Sequence, residues 1–230
     1  MIKKYDFLLA DLDNTLLDFT AAEHKAVERL ILHYGANADS ETINAYSAFN
    51  VSLWEKLERK EITRKQLRDT RFSEFFRLHG IDGDGIEAAS LYEQYLSENA
   101  FWIDGAEELI SRCKGKIKLY IISNGMVRVQ LPRLSSSGLD KLADGHFISE
   151  RIGYDKPDKR YFDFVFSSIP CFDPEKALVL GDSLSADISG GIICGIDTCL
   201  FDRRGKYHSG RIKPMFIINE LNKIYDILHI

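Results

Sequence analysis

The chain has 230 residues, 45% of them hydrophobic and 28% charged, with a net charge of -5. This balance fits a globular protein with a real core, and it argues against a nucleic-acid polymer as partner, which calls for a basic face. The four cysteines (Cys113, Cys171, Cys194 and Cys199) lack paired spacing and the six histidines are scattered, so reduced, mostly buried thiols are expected rather than a zinc site or a disulfide framework.

The first apolar run comes after a basic N-terminus but stops at Asp11. It is too short for a signal peptide or a membrane span, so a cytoplasmic protein without a membrane partner is expected. Residues 5–10 instead predict a buried strand that runs into Asp11-Leu12-Asp13-Asn14-Thr15. Extended backbone would put Asp11 and Asp13 on one face, where two carboxylates repel.

A helical block comes next. Val27, Leu30, Ile31 and Tyr34 keep helical spacing up to Gly35, and Ile43, Tyr46, Leu53 and Leu57 outline a second helix. Thr63 caps a third that runs to Gly80, and a fourth covers Ile86 to about Asn99. From there helices at 105–114, 127–136, 159–168 and 186–194 alternate with strands at 117–122, 146–149, 177–180 and 196–200. A strand at 215–218 and a helix from Asn219 close the chain. Such alternation predicts an α/β fold, a Rossmann-like parallel sheet covered on both faces. The helical stretch of about 85 residues is too long for a plain connection, so it is expected to be a small inserted domain. The expected division is a core of residues 1–17 and 101–230 with an all-helical insertion of residues 18–100.

Open parallel sheets bind ligands at the carboxyl ends of their strands. There the sequence collects Asp11, Asp13, Ser123, Lys156, Asp182 and Asp187. Clustered carboxylates without Cys or His suit a hard cation such as Mg²⁺. One carboxylate can attack phosphorus, and a second, two residues on, can move the proton of the leaving oxygen. Ser123 and Lys156 can hold phosphoryl oxygens.

The motif Asp11-Leu12-Asp13-Asn14-Thr15, succeeded in order by Ser123, Lys156 and the run from Gly181-Asp182 to Asp187, resembles the haloacid dehalogenase (HAD) superfamily over nearly the whole chain. The resemblance implies a HAD-like core with a subclass I cap. It implies Asp11 as nucleophile, Asp13 as general acid/base, and Ser123 and Lys156 as phosphoryl-binding groups, with Lys156 steadying Asp11. It further implies Mg²⁺ held by Asp11, Asp182 and the main-chain carbonyl of Asp13, with Asp187 in support and Thr15 bracing the loop by hydrogen bonding. Asp18-Phe19, Ser52-Leu53-Trp54, Ile121 to Gly125 and Gly153 to Lys159 resemble, more narrowly, bacterial pyrimidine-type 5'-nucleotidases. The expected partner is therefore a small phosphorylated substrate, a nucleoside monophosphate; nothing in the sequence sets the oligomeric state.

Alternatives stay open. A sugar-phosphate or phosphoglycolate phosphatase would use the same core, a phosphomutase the same intermediate, and a binding module would be expected to lack a catalytic carboxylate or Lys156. Asp13 argues against a dehalogenase, which needs no acid for an alkoxide. Asn124 and Gly125 could turn backbone N–H groups to the phosphate or form a simple turn. Phe19, just past the nucleophile, is a candidate for contact with the leaving group. Trp54, Phe72, Phe75 and Phe76 could stack on a base or only pack. Arg64, Arg68 and Arg71 form a helical stripe, expected to be a solvated face paired with Glu58, Glu61 or Asp69. Arg203 and Arg204 read as a charged loop.

Overall fold

A computed structural model describes residues 4–230. The first strand, β1 (Phe7–Asp11), is followed by four helices: α1 (Phe19–His33), α2 (Ser40–Glu58), α3 (Arg64–His79) and α4 (Gly85–Ser97). Then come α5 (Ala106–Cys113), β2 (Lys118–Ser123), α6 (Val127–Ser137), α7 (Leu139–Leu142), β3 (Gly145–Ile148), α8 (Ser149–Ile152) and α9 (Lys159–Ser168). The chain ends with β4 (Ala177–Gly181), a π-helical turn (Leu184–Ile188), α10 (Ser189–Ile193), β5 (Asp197–Phe201), β6 (Phe216–Ile218) and α11 (Ile224–Leu228).

Among the described residues six strands form one parallel sheet in the order β3-β2-β1-β4-β5-β6. Alternate residues of β1 serve opposite faces, as a two-residue period requires. Leu8 and Ala10 pack with Leu109 and Ile110 of α5, whereas Phe7 and Leu9 pack with Phe162 and Val165 of α9. β1 is the switch point, flanked by β2 and β4, so three strand ends open into one crevice.

Polar caps fix where the four inserted helices begin. Asp18 accepts from Ala21 N at 2.9 Å, Asp39 from Thr42 N at 2.8 Å and Asp84 from Ile86 N at 2.7 Å. Thr63 and Gln66 form a reciprocal capping box, and Gly80 ends α3 with φ +64°. These helices share a hydrophobic cluster that reaches Met126 and Val129 beside and within α6. The two stretches joining them to the sheet run side by side: Asp18 N donates to Phe101 O at 2.8 Å and Ile103 N to Leu16 O at 3.0 Å.

Three local expectations change. The strand expected at residues 5–10 begins at Phe7 and includes Asp11. The helix expected over 186–194 is a π-helical turn followed by the short α10. The wider turn packs Asp187 so closely on Gly181 that a Cβ there would lie 2.2 Å from Asp187 Oδ2. The thiols are unpaired, but only Cys113 and Cys199 are buried, while Cys171 is exposed.

Leu9 is fully buried on the sheet's α9 side. Leu9→Ala is expected to lower unfolding free energy by about 2–5 kcal/mol, measured by urea titration.

Candidate active site

Asp11 closes β1, Ser123 closes β2 and Asp182 follows β4. Lys156 comes in from the loop before α9, and Asp187 from the π-helical turn. The Lys156 ammonium, 2% exposed, donates to Asp11 Oδ1 at 2.6 Å, Asp187 Oδ1 at 2.7 Å and Ile122 O at 2.9 Å. All three protons of the cation therefore have an acceptor. Burial pulls the Lys156 ammonium down, yet the Asp11 and Asp187 charges outweigh it and hold it above its ordinary value. Burial pushes the Asp11 carboxyl up, Lys156 opposes this, and Asp187, Asp182 and Asp13 add to the rise. Asp182 is pushed up to about 7, by desolvation in the crevice and then by Asp187.

Oxygens of Asp11, Asp182 and Asp187 lie within 4.8 Å of one another. A set of hard oxygen donors at that separation, crowded enough to raise two carboxyls, fits a small divalent cation.

Asp13 is separated from this trio. The strand ends at Asp11, and Asp13 sits in the following turn, where Oδ1 accepts from Arg133 Nη1 at 2.5 Å and Oδ2 from Gln130 Nε2 at 2.6 Å. The two carboxylates thus take different cations, Asp11 Lys156 and Asp13 Arg133, while Asp13 stays near enough for its charge to add to the rise on Asp11. Gln130 also donates to Ser123 Oγ at 2.9 Å, and fully buried Arg133 donates through Nε to Asn99 O at 3.0 Å. Neither Gln130 nor Arg133 stood out in the sequence. Their signal was two long polar side chains, three residues apart, on a helix that comes after a strand end.

Gly125 N donates to Ser123 Oγ at 3.0 Å, so this N–H serves the turn. The Asn124 side chain donates to Lys156 O at 2.9 Å and accepts from Lys156 N at 2.8 Å, fastening the lysine loop to the end of β2. Thr15 departs from the bracing role implied for it: its hydroxyl is buried and has no hydrogen-bond partner among the described residues. Asn14 (φ +58°) braces the turn instead, accepting from Thr20 N and Thr20 Oγ1 at 3.1 Å each.

A cavity of about 260 Å³ extends from Asp11 and Lys156 toward the helices, past Phe19, Trp54 and Leu96. Phe72, Phe75 and Phe76 are instead locked in an aromatic cluster with Tyr46 and Tyr92. The arginine stripe is not a solvated face. Arg64 pairs with Asp155 and donates to Asn124 O at 2.8 Å and Ser149 Oγ at 2.6 Å, Arg68 pairs with Glu93, and Arg71 is buried on the cavity wall. The stripe's expected partners are engaged elsewhere: Glu61 with Arg59, Asp69 with Lys65, and Glu58 with Ser185. Arg203 and Arg204 are more than a charged loop, reaching Asp18 at 3.0 Å and Thr20 at 3.3 Å beside the start of α1.

A parallel sheet with an acidic strand end, a buried lysine and a second aspartate two residues on defines a hydrolase class. The family model of haloacid dehalogenase-like hydrolases matches residues 5–195, and the chain belongs to that family. It is 38% identical to a HAD-hydrolase, YfnB, of Bacillus subtilis over 100% of this chain and 97% of that protein. It is 36% identical to the pyrimidine 5'-nucleotidase PynA of Streptococcus pneumoniae (97% and 95% covered) and 29% to YjjG of Escherichia coli, also a pyrimidine 5'-nucleotidase (98% of each). A crystal structure of YfnB bound to magnesium superposes with a TM-score of 0.94, covering 99% of this chain and 100% of that one. The L-2-haloacid dehalogenase of Xanthobacter autotrophicus shares the fold at 13% identity, with a TM-score of 0.78 and 98% of each chain covered. Among the described residues no helix is long and apolar enough to cross a membrane.

The raised Asp182 carboxyl carries a pH signature. Folding lifts it from 3.8 to about 7, an effect that its exposure at the crevice mouth screens in part, so between those values the folded protein holds somewhat more protons than the unfolded one. Stability then falls as pH rises through that window. In chelator, melting temperature is expected to fall from pH 5 to pH 8, and Asp182→Asn to flatten the slope; a melting curve at each pH checks both.

Proposed function

We propose that this chain is a Mg²⁺-dependent phosphomonoesterase acting through an aspartyl phosphate, and that its substrates are pyrimidine nucleoside 5'-monophosphates. The observation that carries this reading is the division of labour between the two aspartates: Asp11 is held by Lys156, and Asp13 by Gln130 and Arg133. Two relatives matching nearly the full chain are pyrimidine 5'-nucleotidases, which supports the substrate class.

Asp11 and Asp182, with the main-chain carbonyl of Asp13, would hold the cation, and Asp187 would support them. The ion would supply charge stabilisation for phosphoryl oxygens. Lys156 keeps Asp11 oriented and favours its ionised form. An Asp11 carboxylate oxygen forms a bond to phosphorus as the bond to the 5'-oxygen breaks, and Asp13 gives that oxygen its proton. Asp13 then takes a proton from water, whose oxygen attacks phosphorus and displaces the Asp11 carboxylate, releasing phosphate. Ser123 binds a phosphoryl oxygen, and Lys156, its three protons taken by Asp11, Asp187 and Ile122, attracts the phosphoryl group by its charge, with backbone from Asn124 and Gly125 beside them. Phe19, on the cavity wall, contacts the leaving nucleoside. In this reading residues 18–100 act as a cap over a core of residues 1–17 and 101–230, excluding water during transfer.

Asp11→Asn is expected to abolish turnover with the fold retained, and chelation of divalent metal to do the same reversibly, in a phosphate-release assay. Asp13→Asn should lower kcat by about 10²- to 10⁴-fold. Across UMP, dUMP, dTMP and phosphoglycolate, the nucleotides should show the highest kcat/KM; preference for phosphoglycolate would overturn the substrate assignment.

A further inference from the structure

Arg71 is out of keeping with its surroundings. It is 2% exposed, in the helical layer, and lines the same cavity as Asp11 and Asp182. Among the described residues its Nε and Nη2 have no hydrogen-bond partner, and Nη1 reaches only Asn50 Oδ1, at a long 3.4 Å. The guanidinium carbon lies 4.6 Å from the centre of the Tyr92 ring and 5.1 Å from that of Phe72, whose faces hold the cation but accept no conventional hydrogen bond. Buried donors ordinarily have acceptors, so a guanidinium left with two unfilled nitrogens on a cavity wall points to a missing one.

The missing partner is not a counter-ion. Arg71 already lies within charge range of the buried carboxylates of Glu23 and Glu93, where burial raises both carboxyls and its charge opposes that rise. Glu93 is further bracketed by Arg68 at 3.2 Å and Arg128 at 3.0 Å. The two Glu93 oxygens on the same wall are turned to Arg68 and Arg128, so what Arg71 lacks is acceptor oxygens within bonding reach rather than negative charge. A second phosphate or a carboxylate on the substrate would meet Glu23 and Glu93 as well as Arg71. A neutral carbonyl supplies lone pairs without adding charge. Part of the wall suits a flat ring, with Phe19, Trp54, Leu96, Met126 and Val129 apolar beside polar neighbours such as Glu58 and Gln130.

We propose that Arg71 is the base-reading residue of this cavity, donating to a ring carbonyl oxygen of the pyrimidine while the 5'-phosphate lies against Asp11. This rests on the nucleotidase reading and adds its specificity determinant. Selection here acts on the leaving group rather than on the phosphoryl group. It therefore separates substrates that undergo the same chemistry.

The test compares kcat/KM for UMP with that for phenyl phosphate, which has a flat ring but no carbonyl, and for ribose 5-phosphate, which has no base. Wild-type protein should favour UMP over both. Arg71→Gln should lower the UMP-to-phenyl phosphate ratio by about 10- to 100-fold, mostly through KM, and Arg71→Lys, which keeps the charge but loses the fork, should fall between. An unchanged ratio in a folded Arg71→Gln protein would overturn the proposal, as that residue would then be structural. If both variants fail to fold, the wild-type protein decides. The 5'-monophosphate of phenyl riboside, a six-membered ring without carbonyls, should then fall at least about tenfold below UMP in kcat/KM, and equal values for the two would refute the proposal. Turnover of sugar phosphates with none of any nucleotide would instead refute the nucleotidase reading itself.

Discussion

A single ammonium holds the carboxyl edge of this sheet together. Lys156 is almost wholly withdrawn from water, which is tolerable only because two carboxylates and a main-chain carbonyl take its three protons. Removing one partner from a buried pair of this kind costs on the order of 3–5 kcal/mol. The arrangement therefore ties together β1, the end of β2, the loop before α9 and the turn after β4. Asn124 adds a second tie by gripping the Lys156 backbone from both sides. The same charge that stabilises the edge also orients Asp11 and opposes the burial and crowding that would keep it protonated.

The second aspartate is governed from another direction. Arg133 and Gln130 of α6 take Asp13 away from the acidic trio, and Arg133 also holds Asn99 on the returning connection from the helical layer. Chemistry and the path of the inserted helices thus meet at one buried guanidinium. Arg64 makes a similar bridge from α3 to Asn124, Ser149 and Asp155. The helical layer is joined to the crevice by polar struts as well as by the apolar contacts of Met126 and Val129.

The sheet and the site at its edge were legible because their signals are local. Short apolar runs ending in Asp11, Ser123 and Gly181-Asp182 announce buried parallel strands, and any such strands deliver the residues at their carboxyl ends to one edge. The helical layer was legible through periodicity and caps such as Thr63 and Asp84. The arginine stripe was misjudged for a physical reason: helical spacing places Arg64, Arg68 and Arg71 on one side but does not say what covers that side. Helical spacing over residues 186–194 does not distinguish a π-helical turn from ordinary helix, and the close approach of Asp187 to Gly181 that accompanies the turn is visible only in the folded chain.

By itself, then, the sequence determined the parallel α/β core, the helical insertion and the set of groups gathered at the strand ends, since each arises from local pattern and chain order. The tertiary structure alone decided that Asp11 faces Lys156 while Asp13 faces Arg133, that Thr15 leaves its bracing role to Asn14, and that Arg71 lies buried with donors unfilled. Those outcomes depend on which side chains from distant segments share a small volume from which water is excluded. That is a property of packing, and no spacing along the chain encodes it.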